Sequence, residues 1–257
     1  MLRGLYIAQN TLDVQQAKLN NISNNLANLS TAGYKRNQVV DTKFAESLQL
    51  ALENKGPGGK RQPVGEGILG NMVTQVHIDF APGPLMETGG ATDFALEGSG
   101  FFVVENEAGE LLYTRDGSFH LDAEGNLLNS EGYRVLGEGG PITIEDARQL
   151  AIKEDGTILV GEGTEREELD RLQIVEFADL TLLQKTDGNY FIDPEGTAEQ
   201  AVSTTVVQGW LERTNVDPVE EMIDMIPVAR IYESTQKLVQ INDELLDKAI
   251  NQVGRVK

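Results

Sequence analysis

The chain contains no cysteine, which excludes disulfides and any chemistry that needs a thiolate. Histidine is nearly as scarce. The two present, His77 and His120, have no cysteine or second histidine at ligand spacing, so no metal centre is expected. No loop alternates Asp/Asn before a glycine in the manner of a calcium site, and no cofactor is expected. No apolar run approaches the roughly 20 residues of a membrane span, so membrane insertion is not expected. A cleaved signal peptide is not expected either, because Leu2 to Leu12 is interrupted by Arg3, Gly4, Gln9 and Asn10. Positive charge is short: 21 Lys and Arg stand against 41 Asp and Glu, a net charge of −20. Such a surface repels phosphate, which argues against nucleic acid as a partner. The shortage is uneven. Residues 1–40 carry Arg3, Lys18, Lys35 and Arg36 against Asp13 alone, net +3, leaving −23 to the rest.

What is present is a chain of 257 residues with 40% hydrophobic content, enough for one large domain or two small ones. It opens on an amphipathic helix. Leu5, Leu12, Leu19 and Leu26 recur every seven residues, and Ala8, Gln15, Ile22 and Leu29 recur three residues later. This is an a/d seam over four heptads with one polar position at Gln15. Alone in water such a seam leaves its leucines wet, so it wants a partner helix. Asn21, Asn25 and Asn28 share a second face. Asparagine competes for the helix backbone. Three on one face read either as amides bonding another chain or segment, or as a solvated polar stripe. Thr31-Ala32-Gly33 ends the helix, with Gly33 as a left-handed cap.

Asp41 to Asn54 reads as a further helix, with Phe44, Leu48 and Leu52 four apart, and Lys55 to Gly70 as a Gly/Pro-rich linker. Gly65-x-Gly67-x-x-Gly70 matches the dinucleotide fingerprint only in letters, since no strand precedes it and no helix follows. From Asn71 to about Val207 the period is two. Met72, Thr74, Val76, Ile78 and Phe80 share one strand face, and Phe101 to Val104 is a short buried run. Asp116-Gly117, Glu124-Gly125-Asn126, Glu131-Gly132, Asp155-Gly156 and Asp187-Gly188-Asn189 are hairpin or bulge signals. Glu145 to Leu150 reads as a short helical turn and Glu165 to Arg171 as a charged loop. The whole predicts a β-rich domain of meanders.

The last element opens at Gln208. Asp217 is a good N-cap, Pro218 suits the first helical position, and Glu220 completes a capping-box-like pattern. The helix is expected to run to about Val253 and stop at Gly254. Ile231, Leu238 and Leu245 recur by sevens, with Ile241 and Ala249 flanking them. Pro227 inside it removes a hydrogen bond to Ile223, and a bend near residues 223–227 is expected.

The acidic excess suggests paired carboxylates, with Asp116, Asp122, Asp155 and Asp187 as candidates for acid/base work. Most sit beside glycine in turn positions, where Asp is favoured for local hydrogen bonds, and no catalytic residue is assigned. Trp210 reads as a packing anchor.

The run Asn25-Leu26-Ala27-Asn28, followed by Thr31, Gly33, Tyr34, Lys35 and Arg36, resembles the N-terminal signature of the bacterial flagellar rod and hook proteins. Asp93-Phe94-Ala95-Leu96-Glu97-Gly98-Ser99-Gly100-Phe101-Phe102 and Tyr113-Thr114-Arg115-Asp116-Gly117-Ser118-Phe119 resemble its second and third motifs. Gln208-Gly209-Trp210-Leu211-Glu212, Asn215-Val216-Asp217 and Glu220-Glu221-Met222-Ile223 resemble its C-terminal motif. Pro227 departs from the family, which usually has an apolar residue there.

The resemblance, closest to the distal-rod type, implies a structural subunit of the flagellar basal body. Such subunits are exported without a cleaved signal and self-assemble through terminal helices into a helical tube. It implies contacts with copies of itself, neighbouring rod and hook proteins and the export apparatus. The expected fold is a mainly β central domain with long N- and C-terminal helices paired in a coiled-coil-like manner. The expected organisation is 1–36 assembly helix and signature, 37–70 extension and linker, 71–207 β-rich core, and 208–257 assembly helix. The expected assembly residues are Leu5, Leu12, Leu19, Asn21, Ile22, Asn25, Leu26, Asn28, Leu29, Ile231, Leu238, Ile241, Leu245 and Ala249. Two alternatives stand beside this reading: a surface coiled-coil dimer presenting a β domain, and a secreted hydrolase on a β scaffold.

Overall fold

The computed structural model describes residues 2–43, 71–144, 150–161, 166–186, 188–201 and 203–248. The chain divides into two compact units that interleave in sequence. One comprises Met1–Ala27, Asn37–Ile78 and Asp217–Lys257; the other comprises Asn28–Arg36 and Asp79–Val216.

The helical unit holds α1 (Leu2–Ala27), β1 (Asn37–Lys43), β2 (Asn71–Ile78) and α2 (Pro218–Lys248). Helix α1 packs against α2 and against both strands. The strands form an antiparallel ribbon with Asn37 opposite Ile78 and a register shift between Val40 and Asp41. Val14 and Ile22 are buried on α1, together with Gln15 and Asn25. Helix α2 starts where its cap predicts. The Asp217 carboxylate accepts from the N–H groups of Val219 (2.8 Å) and Glu220 (3.3 Å), and Pro218 takes the first position.

Helix α2 runs through Pro227 as one continuous helix of 31 residues. Pro227 and Ile223 both lie on the exposed side, so the carbonyl that loses its N–H partner meets water, and packing on α1 holds both flanks. The expected end near Val253 lies outside the described residues.

Two further expectations change here. Asp41 to Lys43 close strand β1 where a helix was expected; the remainder of that stretch lies outside the described residues. Gly33 adopts the expected positive φ of 65°, but six residues beyond the last residue of α1, so it caps no helix. Its glycine requirement is tertiary. A Cβ there would fall 2.3 Å from the Arg115 carbonyl carbon.

The second unit is built of short strands: β3 (Leu85–Glu87), β4 (Phe94–Glu97), β5 (Phe101–Glu105), β6 (Leu111–Thr114), β7 (Phe119–Leu121), β8 (Leu127–Asn129), β9 (Arg134–Gly137) and β10 (Gly140–Pro141). There follow β11 (Leu150–Ile152), β12 (Thr157–Val160), β13 (Glu167–Arg171), β14 (Ile174–Glu176), β15 (Gln184–Lys185), β16 (Phe191–Ile192), β17 (Glu199–Gln200), β18 (Thr205–Gln208) and β19 (Trp210–Glu212). A ten-stranded sheet runs β15-β16-β6-β5-β9-β8-β7, with β10 beside β9 and β14 joining β5 to β17. β11, β12 and β13 form a second sheet, and β18 with β4 and β19 with β3 form two-stranded ribbons.

Neighbouring residues of β5 serve opposite faces, as the pleat requires. Phe102 packs edge-on to Phe119 at 5.2 Å in the main core, whereas Phe101 joins Phe80, Phe177 and Phe191 in an aromatic cluster with centroids 5.2–5.8 Å apart. The signals at Gly125, Gly132, Gly156 and Gly188 are hairpin turns between paired strands, each glycine at positive φ.

Asp116-Gly117 is different. It links β6 to β7, which do not pair. The Asp116 carboxylate accepts from Ser118 N–H (2.9 Å) and Oγ (2.6 Å), and a Cβ on Gly117 would strike the Phe94 carbonyl oxygen. Glu167 to Arg171, expected as a loop, is strand β13; pairing with β12 engages its backbone and leaves Glu167 and Glu168 in solvent. Residues 145–149, expected as a helical turn, lie outside the described residues, and Leu150 opens β11.

Candidate assembly faces and a buried charge cluster

The side of α2 with the less exposed residues runs Glu221, Met225, Val228, Tyr232, Thr235, Val239, Asn242 and Leu246. Its spacings alternate four and three, the pattern of a helix facing one partner. Glu221 and Thr235 are its fully buried members. The row singled out from the sequence is the neighbouring one. Ile231, Leu238, Ile241 and Leu245 point to solvent, as do Val219, Met222, Ile223 and Ile226, all between 44 and 63% exposed. Ala249 lies outside the described residues. On α1, Ile22 is buried, while Leu5, Leu12, Leu19, Leu26 and, just past the helix, Leu29 are half-buried.

The asparagine face is used within the chain. Asn21 Nδ2 (2.7 Å) and Asn25 Nδ2 (2.9 Å) both donate to the carbonyl of Asn37, and the Asn37 N–H donates back to Asn25 Oδ1 at 3.1 Å. Asn25 is 1% exposed. Each amide thus satisfies a backbone group at the start of β1. Asn28 Oδ1 accepts from the Thr31 hydroxyl at 3.2 Å.

In the β unit the resembling motifs converge on a cluster that sequence reasoning missed. Glu212 ends β19 and is 1% exposed. Its carboxylate accepts from Lys35 Nζ at 2.7 Å, from the Gly83 N–H at 2.8 Å and from Arg115 Nη1 at 3.4 Å. Lys35 also donates to the Ala81 carbonyl (3.0 Å), and Arg115 Nη2 to the Gly98 carbonyl (2.8 Å). The Arg115 guanidinium lies 4.9 Å above the Phe101 ring, and its Nε has no hydrogen-bond partner among the described residues.

Backbone bonds tighten the same junction: Gly33 N–H donates to the Glu212 carbonyl (2.7 Å) and Arg36 N–H to Asn215 Oδ1 (2.8 Å). Burial pulls the Lys35 ammonium and the Arg115 guanidinium below their ordinary values, and Glu212 pulls both back up. The cluster therefore ties the segment after α1 to the segment before α2. Each member is a charged letter within a motif, and no local spacing marks Lys35, Arg115 and Glu212 as neighbours.

The candidate catalytic carboxylates serve turns. Asp122 accepts from Asn126 N–H and Nδ2 at 2.7 Å each, which holds it below the usual range, the opposite of a general acid. Asp155 accepts from Thr157 N–H (3.0 Å). Burial raises Asp116, whose partner is Ser118. Asp187 lies outside the described residues. Trp210 sits half-buried in β19 opposite Glu87.

A β body with its chain ends pinned by buried charge, and a terminal helix with an uncovered apolar row, is the organisation of a structural assembly subunit. Residues 5–35 match the model of the flagella basal body rod protein, 95–160 that of the flagellar hook protein FlgE/F/G D1 domain, and 207–252 that of the flagellar basal body rod FlgEFG protein C-terminal. Each matched segment donates one member of the charge cluster.

The chain is 32% identical over 264 residues to the flagellar basal-body rod protein FlgG of Buchnera aphidicola subsp. Acyrthosiphon pisum, covering 96% of this chain and 98% of the relative. It is 32% identical over 259 residues to FlgF of Caulobacter vibrioides, covering all of both, and 30% identical over 268 residues to FlgG of Bacillus subtilis, covering 98 and 99%. The chain belongs to the bacterial flagellar basal-body rod family. It is a structural subunit of the rod and is located in the basal body. Among the described residues no helix is long and apolar enough to cross a membrane.

Proposed function

We propose that this subunit assembles through its terminal helices, paired in a coiled-coil-like manner, into a helical tube of copies of itself, beside neighbouring rod and hook proteins. The observation that carries the reading is the solvent-facing row Val219, Met222, Ile223, Ile226, Ile231, Leu238, Ile241 and Leu245 on α2. Fully burying an exposed side chain of this kind is worth about 1.5–3 kcal/mol; these are about half exposed, so a second helix laid along the row gains about half of that from each, set against the cost of ordering the pair. Half-buried Leu19 and Leu26 on α1 add partly exposed apolar side chains. Relatives named FlgG and FlgF match at the same 32% identity, which supports the family without separating its members. The same reading has the chain leave the cell through the flagellar export apparatus; freedom from cysteine suits passage as an unfolded chain.

The test is sedimentation velocity on the full chain over a range of concentrations. Open-ended association is expected for the native sequence. Leu238→Asp and Leu26→Asp are expected to remain monomeric with the β unit folded by near-ultraviolet dichroism. A closed dimer, or association undiminished in both variants, overturns the reading.

A further inference from the structure

The cluster of Lys35, Arg115 and Glu212 belongs wholly to the β unit. Its geometry constrains how the β unit closes. Glu212 is 177 residues from Lys35 and 97 from Arg115 along the chain. Docking of the loop Asn28–Arg36 brings the Gly33 backbone against that of Arg115, close enough that a Cβ would overlap it. The same docking carries the Lys35 ammonium into the interior near the Arg115 guanidinium, and the two cations repel.

Other charges face them. Asp79 attracts Lys35, and Glu176 attracts Arg115, but only Glu212 hydrogen-bonds both. Without Glu212 the docked loop would hold two buried cations with no shared anion, an arrangement strongly disfavoured in a low-dielectric interior. The segment that supplies Glu212 also supplies Asn215, whose Oδ1 takes the Arg36 N–H and whose Nδ2 donates to the carbonyls of Asp79 and Ala81.

We infer that Glu212 is a closure latch: the N-terminal loop Asn28–Arg36 docks on the β unit together with the segment Glu212–Asn215 and not before it. Both ends of the unit then close in one step. A chain lacking its C-terminal portion leaves the loop undocked, and the motif Thr31 to Arg36 stays open until the last strand is in place.

The chain has no native thiol, so a single introduced cysteine reports one site. Ala32→Cys marks the loop and Thr214→Cys marks the C-terminal segment, each in its own full-length chain. Pulsed thiol labelling during refolding from denaturant is expected to find both sites protected in the same kinetic phase. Earlier protection of the Ala32→Cys thiol overturns the latch. With Lys35→Met added, the repulsion is gone, and the loop thiol is expected to close ahead of the Thr214→Cys thiol; unchanged joint closure also overturns it.

At equilibrium, Glu212→Gln is expected to raise labelling of the loop thiol on the order of a hundredfold. Adding Lys35→Met to Glu212→Gln is expected to recover at least about tenfold of that protection. If Glu212 only fills space and accepts bonds, the double variant labels faster than either single variant, and the latch is excluded. Should Glu212→Gln fail to fold, the refolding comparison between the native sequence and Lys35→Met decides alone.

Discussion

In the β unit Phe94, Phe102, Val104, Leu127 and Phe191 have no exposed surface, whereas on α2 the only fully buried side chains are the polar Glu221 and Thr235. The two regions come from one chain yet use apolar residues in opposite ways. In the β unit phenylalanine and β-branched residues alternate into a closed core, and the charges that must go inside are gathered on Glu212. In α2 the large aliphatic residues face water, while the less exposed row mixes Met225, Val228, Val239 and Leu246 with a carboxylate, a hydroxyl and an amide. A polar group in a helix seam costs stability and specifies register. The β unit is thus finished within the subunit, and α2 carries a surface whose burial lies between molecules in the assembly proposed above.

The largest test of this contrast truncates one residue on each side of it. Phe102→Ala is expected to destabilise the β unit by about 3–5 kcal/mol, the cost of an aromatic cavity. Ile223→Ala, on the outer face of α2, is expected to change subunit stability by less than about 0.5 kcal/mol. Urea denaturation of both variants checks the pair, and equal losses would erase the distinction.

Next comes Pro227→Ala. Restoring the N–H that faces Ile223 O is expected to stabilise α2 by about 2–3 kcal/mol. Slower amide exchange in α2 with unchanged exchange in β5 and β6 would show it; no slowing would mean that α2 already offsets the proline. Asn25→Ala removes two hydrogen bonds to the Asn37 backbone, for an expected loss of about 1–3 kcal/mol. Asn21→Ala is expected to cost less, because Asn37 keeps the Asn25 donor. Thermal melts followed by helical dichroism distinguish the two, and equal shifts would show that the clamp is not cooperative.

The smallest effect is in acid. Hydrogen bonds from Thr204 and Ser203 hold the Glu176 carboxylate below its ordinary 4.5. The native state therefore binds fewer protons than the unfolded chain in that window. Its contribution is complete above pH 4.5 and is lost as pH falls through the lowered value. Glu176 is largely solvent-screened, so Glu176→Gln should flatten the acid limb of the stability profile by less than about 0.5 kcal/mol. A limb unchanged in slope would remove Glu176 from the account.

Much of the fold is legible residue by residue. Four of the five turn signals are hairpins, Asp217 caps α2 where its letters say, and the alternation at Phe101 and Phe102 survives as two faces of β5. The misses share a cause. Asp116-Gly117 has hairpin letters but strand partners that lie elsewhere. Glu167 to Arg171 has loop letters, yet its backbone pairs with β12, because pairing depends on a neighbouring strand and not on the side chains alone.

Features set within a few residues can be read from the letters: where helices begin, where hairpins turn, which residues share a face. Those follow from local sterics and hydrogen bonds, which act over one or two turns of chain. Tertiary structure alone decided which face of α2 is covered, one residue away from the leucine heptad. It also decided that the asparagine amides clamp Asn37, and that Lys35, Arg115 and Glu212 meet across as many as 177 residues. A helix carries several apolar and polar rows at once, and a buried charge is tolerated only where its counter-charge arrives. Both outcomes depend on which partner is brought near, and periodicity along the chain holds no record of that.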